Sequence, residues 1–158
     1  MMAAIHSLDE LSRLRPTLKN VVLLGGVFDI LHAGHIAHLK EAKAQGDTLI
    51  VHVTSDKRVR QKKGSQRPIV SEQERAQIIA AIRYVDYVFI GDLPHYTRQT
   101  LEALAPDVLF LNYEAVNPAV NEHLDSVGAR TKVIVSNTPK TISTTGIVSK
   151  IQALKTPS

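Results

Sequence analysis

The chain has 158 residues, 44% of them hydrophobic and 22% charged, a length and balance that suit one globular domain and leave no room for two of typical size. No apolar run approaches the roughly 18 to 20 residues of a membrane span, and the lack of cysteine removes disulfides, thiolate nucleophiles and thiolate-bound metals. The net charge of +4, from 19 Lys+Arg against 15 Asp+Glu, points away from a nucleic-acid-coating surface, and the one dense basic cluster, "KRVRQKKGSQR" at 57–67, suits an anionic ligand.

The opening "MMAAIHSLDELSRLRP" lacks a basic segment followed by a long apolar one, so a cytoplasmic protein is the expectation. Short apolar runs then alternate with segments of helical period, the pattern of βαβ units around a mostly parallel sheet. Ser7 and Glu10 are spaced as a capping box, predicting a short lead-in helix within residues 1–19, ahead of a first strand "NVVLLGG". A helix over 34–45 follows, with Ile36, Leu39, Ala42 and Lys43 on one stripe and Gly46 as its C-terminal stop. Strand "TLIVHVTS" leads into the basic segment, read as a loop, and a second capping box, Ser71 with Glu74, starts the helix "EQERAQIIAAIRY". Strand "VDYVFIG", helix "TRQTLEALAP", strand "DVLFLN", helix "PAVNEHLDSVG", strand "TKVIVS" and a helix from about 144 complete the chain, with 155–158 as a tail.

These elements predict an α/β fold over 1–158: a Rossmann-like, doubly wound, five-stranded parallel sheet in a three-layer α/β/α sandwich, a single domain. Ligands of such sheets bind beyond the carboxyl ends of the strands, where segments 25–35, 54–70, 91–97, 112–118 and 136–145 fall.

The first of these contains "LGGVFDILHAGH" at 24–35. The chain has no G-x-x-x-x-G-K-[ST], and the first strand ends in "GGVFDI" rather than G-x-G-x-x-G, which argues against P-loop NTPases and NAD-type dehydrogenases. What remains is a turn carrying Gly25, Gly26, Asp29, His32, Gly34 and His35 that opens a helix. A helix N-terminus attracts anions, and glycines let backbone approach a phosphate, so histidines there are placed to donate to phosphate oxygens. Taken alone, such a pair also reads as a cap or a solvated polar pair, and His32, His35 and His38 with Asp29 form a possible metal-ligand set. His52 reads as packed or exposed within its strand, and His6, His95 and His123 as surface residues. Lys57, Arg58 and Arg60 read as a solvated face, and Arg75 as an exposed helix pair with Glu72 or Glu74.

"GGVFDILHAGHIAHLKEAKAQGD", Ser55-Asp56, the lysine-rich segment, "RPIVSEQER" and a late "ISTTGIVSKI" together resemble the HxGH nucleotidylyltransferases of the cytidylyltransferase-like family, over about 20–151. The branches most similar are the adenylyltransferase domain of ADP-heptose synthases and the glycerol-3-phosphate cytidylyltransferases. The resemblance implies transfer of a nucleoside monophosphate from CTP or ATP to a phosphorylated small molecule, with release of pyrophosphate. It implies Mg²⁺ held through the triphosphate rather than by protein ligands, a homodimer, and no nucleic-acid or membrane partner. By the same resemblance His32 and His35 are catalytic donors to the α-phosphate and the leaving group, Lys62 or Lys63 reaches the phosphates, with Lys63 before Gly64 the better match, and Arg75 reaches back toward the pyrophosphate. Gly26, Val27, Phe28, Asp29 and Gly34 would line the nucleotide, and Ser143, Thr144 and Thr145 would hold its β- and γ-phosphates from the last helix.

Three departures leave base and acceptor open. Asn112 and Tyr113 stand where relatives have Gly-Asp, at a position that contacts base or acceptor. Thr138 and Pro139 replace an Arg-Thr pair, with Lys140 the nearest cation, and Gly25 and Val27 replace the Asn or Thr of the two branches. Flavin mononucleotide, the acceptor of archaeal FAD synthetases with the same frame, and a non-catalytic nucleotide sensor are the alternatives.

Overall fold

A computed structural model describes residues 3–127, 130–139 and 142–154. Strands β1 (Ala4–Ile5), β2 (Val21–Gly26), β3 (Thr48–Thr54), β4 (Tyr87–Gly91), β5 (Val108–Leu111) and β6 (Lys132–Val135) form one sheet in the order β1-β4-β3-β2-β5-β6. All the pairings are parallel. The sequence predicts five strands and the sheet has six; the addition is the edge pair Ala4 and Ile5 opposite Tyr87 and Val88. Both residues of that pair are exposed, so no apolar run marks it in the sequence.

Helices α1 (Leu8–Leu14), α2 (Ala33–Lys43), α3 (Asp56–Lys63), α4 (Glu72–Ala80), α5 (Arg98–Leu104), α6 (Pro118–Val127) and α7 (Thr144–Ala153) fill the crossovers. Alternation along the strands sorts two cores, one on each side of the sheet. Val22, Leu24, Val51 and Val88 meet Leu39 of α2 and Ala76 and Ile79 of α4. Val21, Leu23, Ile50 and Phe89 meet Leu11 of α1, Leu101 and Leu104 of α5, and Val120 and Leu124 of α6. The result is the expected three-layer sandwich. Val21 to Leu24 are wholly buried, each worth about 1.5–3 kcal/mol of burial, which explains why this strand reads as a continuous apolar run.

Both capping boxes form: Ser7 and Ser71 accept from the backbone of Glu10 and Glu74, whose carboxylates accept in return. Two local expectations are corrected. The basic segment is helical from Asp56 to Lys63, with Ser55 accepting from Arg58 N at 3.2 Å. Val59 is its one buried residue, so no apolar stripe reveals the helix. Gly46 is not the stop of α2, which ends through Ala44 in a right-handed conformation. Its glycine is needed for space instead, since a Cβ there would lie 2.2 Å from Asn20 O.

From β2 the chain moves to β3 and β4 on one side, and β5 and β6 lie on the other. The loops after β2 and β5 therefore part, opening a crevice above this switch point. Among the described residues no helix is long and apolar enough to cross a membrane. The expected tail at 155–158 lies outside the described residues.

Candidate active site

The crevice is a cleft of about 620 Å³ over the carboxyl ends of the strands. The turn between β2 and α2 forms its centre. Phe28 adopts a left-handed φ of 53°, and its ring folds back so close to Gly26 that a Cβ there would sit 2.8 Å from Phe28 Cζ. Asp29 is buried beneath, its carboxylate accepting from Arg67 Nε at 2.6 Å and from the backbone of Ile69 and Val70 at 2.7 and 2.9 Å. Asp29 thus fixes the segment leading into α4 at the edge of the cleft it lines.

His32 occupies the N-cap position of α2 but makes no side-chain cap bond. Its imidazole stacks on His35 instead, with ring centroids 3.7 Å apart and planes 20° from parallel. Gly34 makes room, because a Cβ there would meet His32 Nδ1 at 3.0 Å. Phe28 packs edge-on against His35 at 5.2 Å. Nδ1 of each histidine is buried without a hydrogen-bond partner in the protein, which leaves polar atoms in need of a ligand. Burial lowers the pKa of His32, and burial with His32, His38 and Lys63 nearby pushes His35 down to about 4. Both rings are therefore neutral at physiological pH in the free protein.

A second helix N-terminus faces the same cleft. Ser143 caps α7 by accepting from Gly146 N at 3.1 Å, and buried Thr144 donates to Ile30 O at 3.5 Å, tying α7 to the central turn. Thr145 also lines the space. Lys62 and Lys63 enter from the last turn of α3, both on the cleft wall. Asn112 lines the far side, its side chain accepting from Ala115 N at 2.8 Å. Two helix N-termini, two lysines and two imidazoles make a cradle for a polyanion.

Arg75 alone among the predicted site residues stands apart from the cleft lining. It is wholly buried. Its guanidinium donates to Val70 O at 2.9 Å, Thr54 O at 2.8 Å, Asp56 Oδ1 at 2.6 Å and the Val27 carbonyl. It thereby joins α4 to the ends of β2 and β3 and the start of α3, from behind the cleft wall.

Further residues line the cleft beyond the predicted nucleotide site, among them His38, His52, His95 and Arg58. His95 is buried rather than on the surface, against the expectation, because the bare backbone of Gly25 admits its ring. His38 packs on Phe110 at 5.1 Å. Glu41, one turn on, accepts from Ser136 and Thr138 hydroxyls at 2.5 and 2.6 Å and holds the segment before α7. Among the described residues no three His, Asp or Glu side chains gather as a metal site. Lys140 lies outside the described residues.

The sequence model of the Cytidylyltransferase-like family matches residues 23–155. "Bifunctional protein HldE" of Geotalea uraniireducens (strain Rf4) is 37% identical over 156 residues, covering 95% of this chain and 31% of that protein. "FAD synthase" of Pyrococcus abyssi (strain GE5 / Orsay) is 44% identical over 115 residues, 72% of this chain and 77% of that one. The chain thus spans under a third of the HldE relative and most of the FAD synthase. Among solved structures, a "lipopolysaccharide core biosynthesis protein" from Thermoplasma volcanium GSS1 superposes with a TM-score of 0.68 at 31% identity, over 77% of this chain and 99% of that one.

Proposed function

The chain belongs to the cytidylyltransferase-like family of nucleotidyltransferases, and from that premise we propose that it transfers a nucleoside monophosphate from CTP or ATP to a sugar or polyol phosphate. The observation that carries the reading is the stacked, neutral His32–His35 pair with unpartnered Nδ1 atoms, set between two helix N-termini and two lysines. An oxygen of the acceptor phosphate forms the new bond to the α-phosphorus, the α–β bridging bond breaks, and pyrophosphate leaves. A phosphate monoester has its second pKa near ~6, so the nucleophile is already anionic at neutral pH and needs no general base. Catalysis then reduces to alignment and to neutralising charge on the α-phosphate and the leaving group.

His32 and His35 donate to those oxygens. Lys63, with Lys62 beside it, neutralises the leaving pyrophosphate, while Ser143, Thr144 and Thr145 hold the β- and γ-phosphates at α7. Gly26, Val27, Phe28 and Gly34 line the nucleotide, Gly26 and Gly34 by leaving room for the Phe28 and His32 rings, and Asn112 meets the base or acceptor. Arg75 acts as a positioning residue through Val27 and Asp56. Asp29 spends its oxygens on Arg67 and backbone, so Mg²⁺ would enter this cleft with the triphosphate rather than through protein ligands. It would supply charge neutralisation there.

The FAD synthase relative, at 44% identity, supports flavin mononucleotide as the alternative acceptor. A cytoplasmic homodimer belongs to the same proposal, and light scattering checks the dimer. The deciding experiment is pyrophosphate release in Mg²⁺ with CTP and ATP separately, against glycerol 3-phosphate, heptose 1-phosphate and flavin mononucleotide. Release with one pair names base and acceptor together. Nucleotide binding with no release across phosphorylated acceptors points to a sensor and overturns the transfer reading.

A further inference from the structure

On the β3–β4 side of the cleft, two imidazoles are held in place by two glycines. His52 pairs with Gly25 in the strand register, and its Nε2 lies 3.2 Å from Gly91 O. A carbonyl only accepts, so Nε2 carries the ring proton and donates, leaving Nδ1 as a bare lone pair. That Nδ1 is buried without a protein partner. His95 lies over Gly25, where a Cβ would come within 2.2 Å of its Nδ1, and its Nε2 is likewise buried and unpartnered. Phe89 packs on His52 at 5.0 Å and Tyr96 edge-on to His95 at 5.3 Å. Tyr96 is itself anchored as its hydroxyl accepts from Asn117 Nδ2 at 3.2 Å. The two ring centroids are 6.1 Å apart, His52 is 1% and His95 6% exposed, and both line the cleft.

We propose that Gly25, His52 and His95 form an acceptor-selecting pocket that takes the hydroxyl-bearing body of a sugar or polyol phosphate. The proposal rests on the nucleotidyl-transfer reading and assigns the residues that select its acceptor. A triphosphate presents oxygens that accept hydrogen bonds, and the unprotonated Nδ1 of His52 repels them. The same lone pair calls for a donor, and an alcohol supplies one. Burial pushes His52 down to about 4 and His95 to about 3, so neither ring gains a second proton near neutrality. The polyanion cradle of α2, α3 and α7 lies about the central turn, whereas this pair stands beyond Gly25 toward β4, leaving it for the second substrate. A site built to bond a hydroxyl strongly rejects an analogue lacking it, because the site's own polar atom is then left unpaired.

The test uses His95→Leu, His52→Leu and Gly25→Ala, the last displacing the His95 ring without deleting a buried imidazole. Folding of each is checked by its thermal transition. Pyrophosphate release with heptose 1-phosphate, varied against saturating nucleotide and the reverse, should show acceptor kcat/KM about ten- to hundredfold lower, with nucleotide KM unchanged. Calorimetry with heptose 1-phosphate should show the same loss of binding. Unaltered acceptor kinetics and binding in folded variants overturn the inference and leave the transfer reading standing. A parallel rise in nucleotide KM overturns it by assigning the pair to the base amino group, and turnover of flavin mononucleotide with none of the sugar phosphate overturns the substrate class. Wild-type binding of the sugar phosphate that the substitutions abolish, with no pyrophosphate released, keeps the pocket and overturns the transfer reading.

Discussion

At the scale of single residues, the cleft separates side chains that meet substrate from those that shape the wall. His35 is the clearest of the first kind: a neutral ring with a free buried nitrogen, lowered to about 4 chiefly by burial. His35→Ala is expected to cut turnover about 10²- to 10³-fold, the loss typical of one preorganised donor, while thermal unfolding still shows a cooperative transition. Turnover equal to wild type in a folded variant would remove His35 from the chemistry. Arg75 is of the second kind. Local spacing offers Glu72 and Glu74 as partners, and the structure uses Asp56 and three carbonyls instead. No i,i+4 pattern carries that information, since the acceptors come from three other segments. A lysine has one nitrogen and cannot reach four acceptors spread around a planar fork. Arg75→Lys should therefore cost about 3 kcal/mol, in the range for breaking a buried pair, read as a lower urea midpoint at unchanged slope.

At the scale of elements, what the sequence shows depends on whether an element carries its own signature. The capping boxes at Ser7 and Ser71 are written locally and form as expected. Helix α3 is not legible, because a segment with one buried residue has no periodic stripe. Its start is fixed by Ser55, and its first turn by Asp56 N donating to Glu72 Oε2 at 2.6 Å. That bond makes α3 depend on α4, and α4 has only nine residues, too few to be stable by propensity alone. Removing the cap with Ser71→Ala should cost about 1 kcal/mol. Hydrogen exchange should then rise in α3 as well as α4. Exchange confined to α4 would show that the two helices do not share the Ser71 cap.

At the scale of the whole molecule, the convergence of His32, His35, His38, His52 and His95 on one cleft is a product of topology. The first three share one quoted stretch; His52 and His95 reach the site through the register of β2 with β3 and the loop after β4, which no stretch of sequence states alone. This clustering makes the fold acid-sensitive. His35 and His52 titrate near 4 and His95 near 3 in the folded chain, against an ordinary value of 6.5. Above pH 6.5 the rings are neutral in both states and their contribution to stability is complete. As pH falls below 6.5 the unfolded chain takes up protons that the native one refuses, so stability drops until the native rings protonate. The carboxylates with shifted values, Glu10, Glu41 and Glu74, are lowered from 4.5 and enter only below that, which isolates pH 6.5–4.5 as the histidine window. Each buried ring adds a slope approaching about 1.4 kcal/mol per pH unit there. Urea midpoints measured across this window should fall steadily with pH, and His52→Leu should remove about one proton's share of the slope. A flat midpoint in the wild type would mean that these histidines are already charged or solvated in the native cleft.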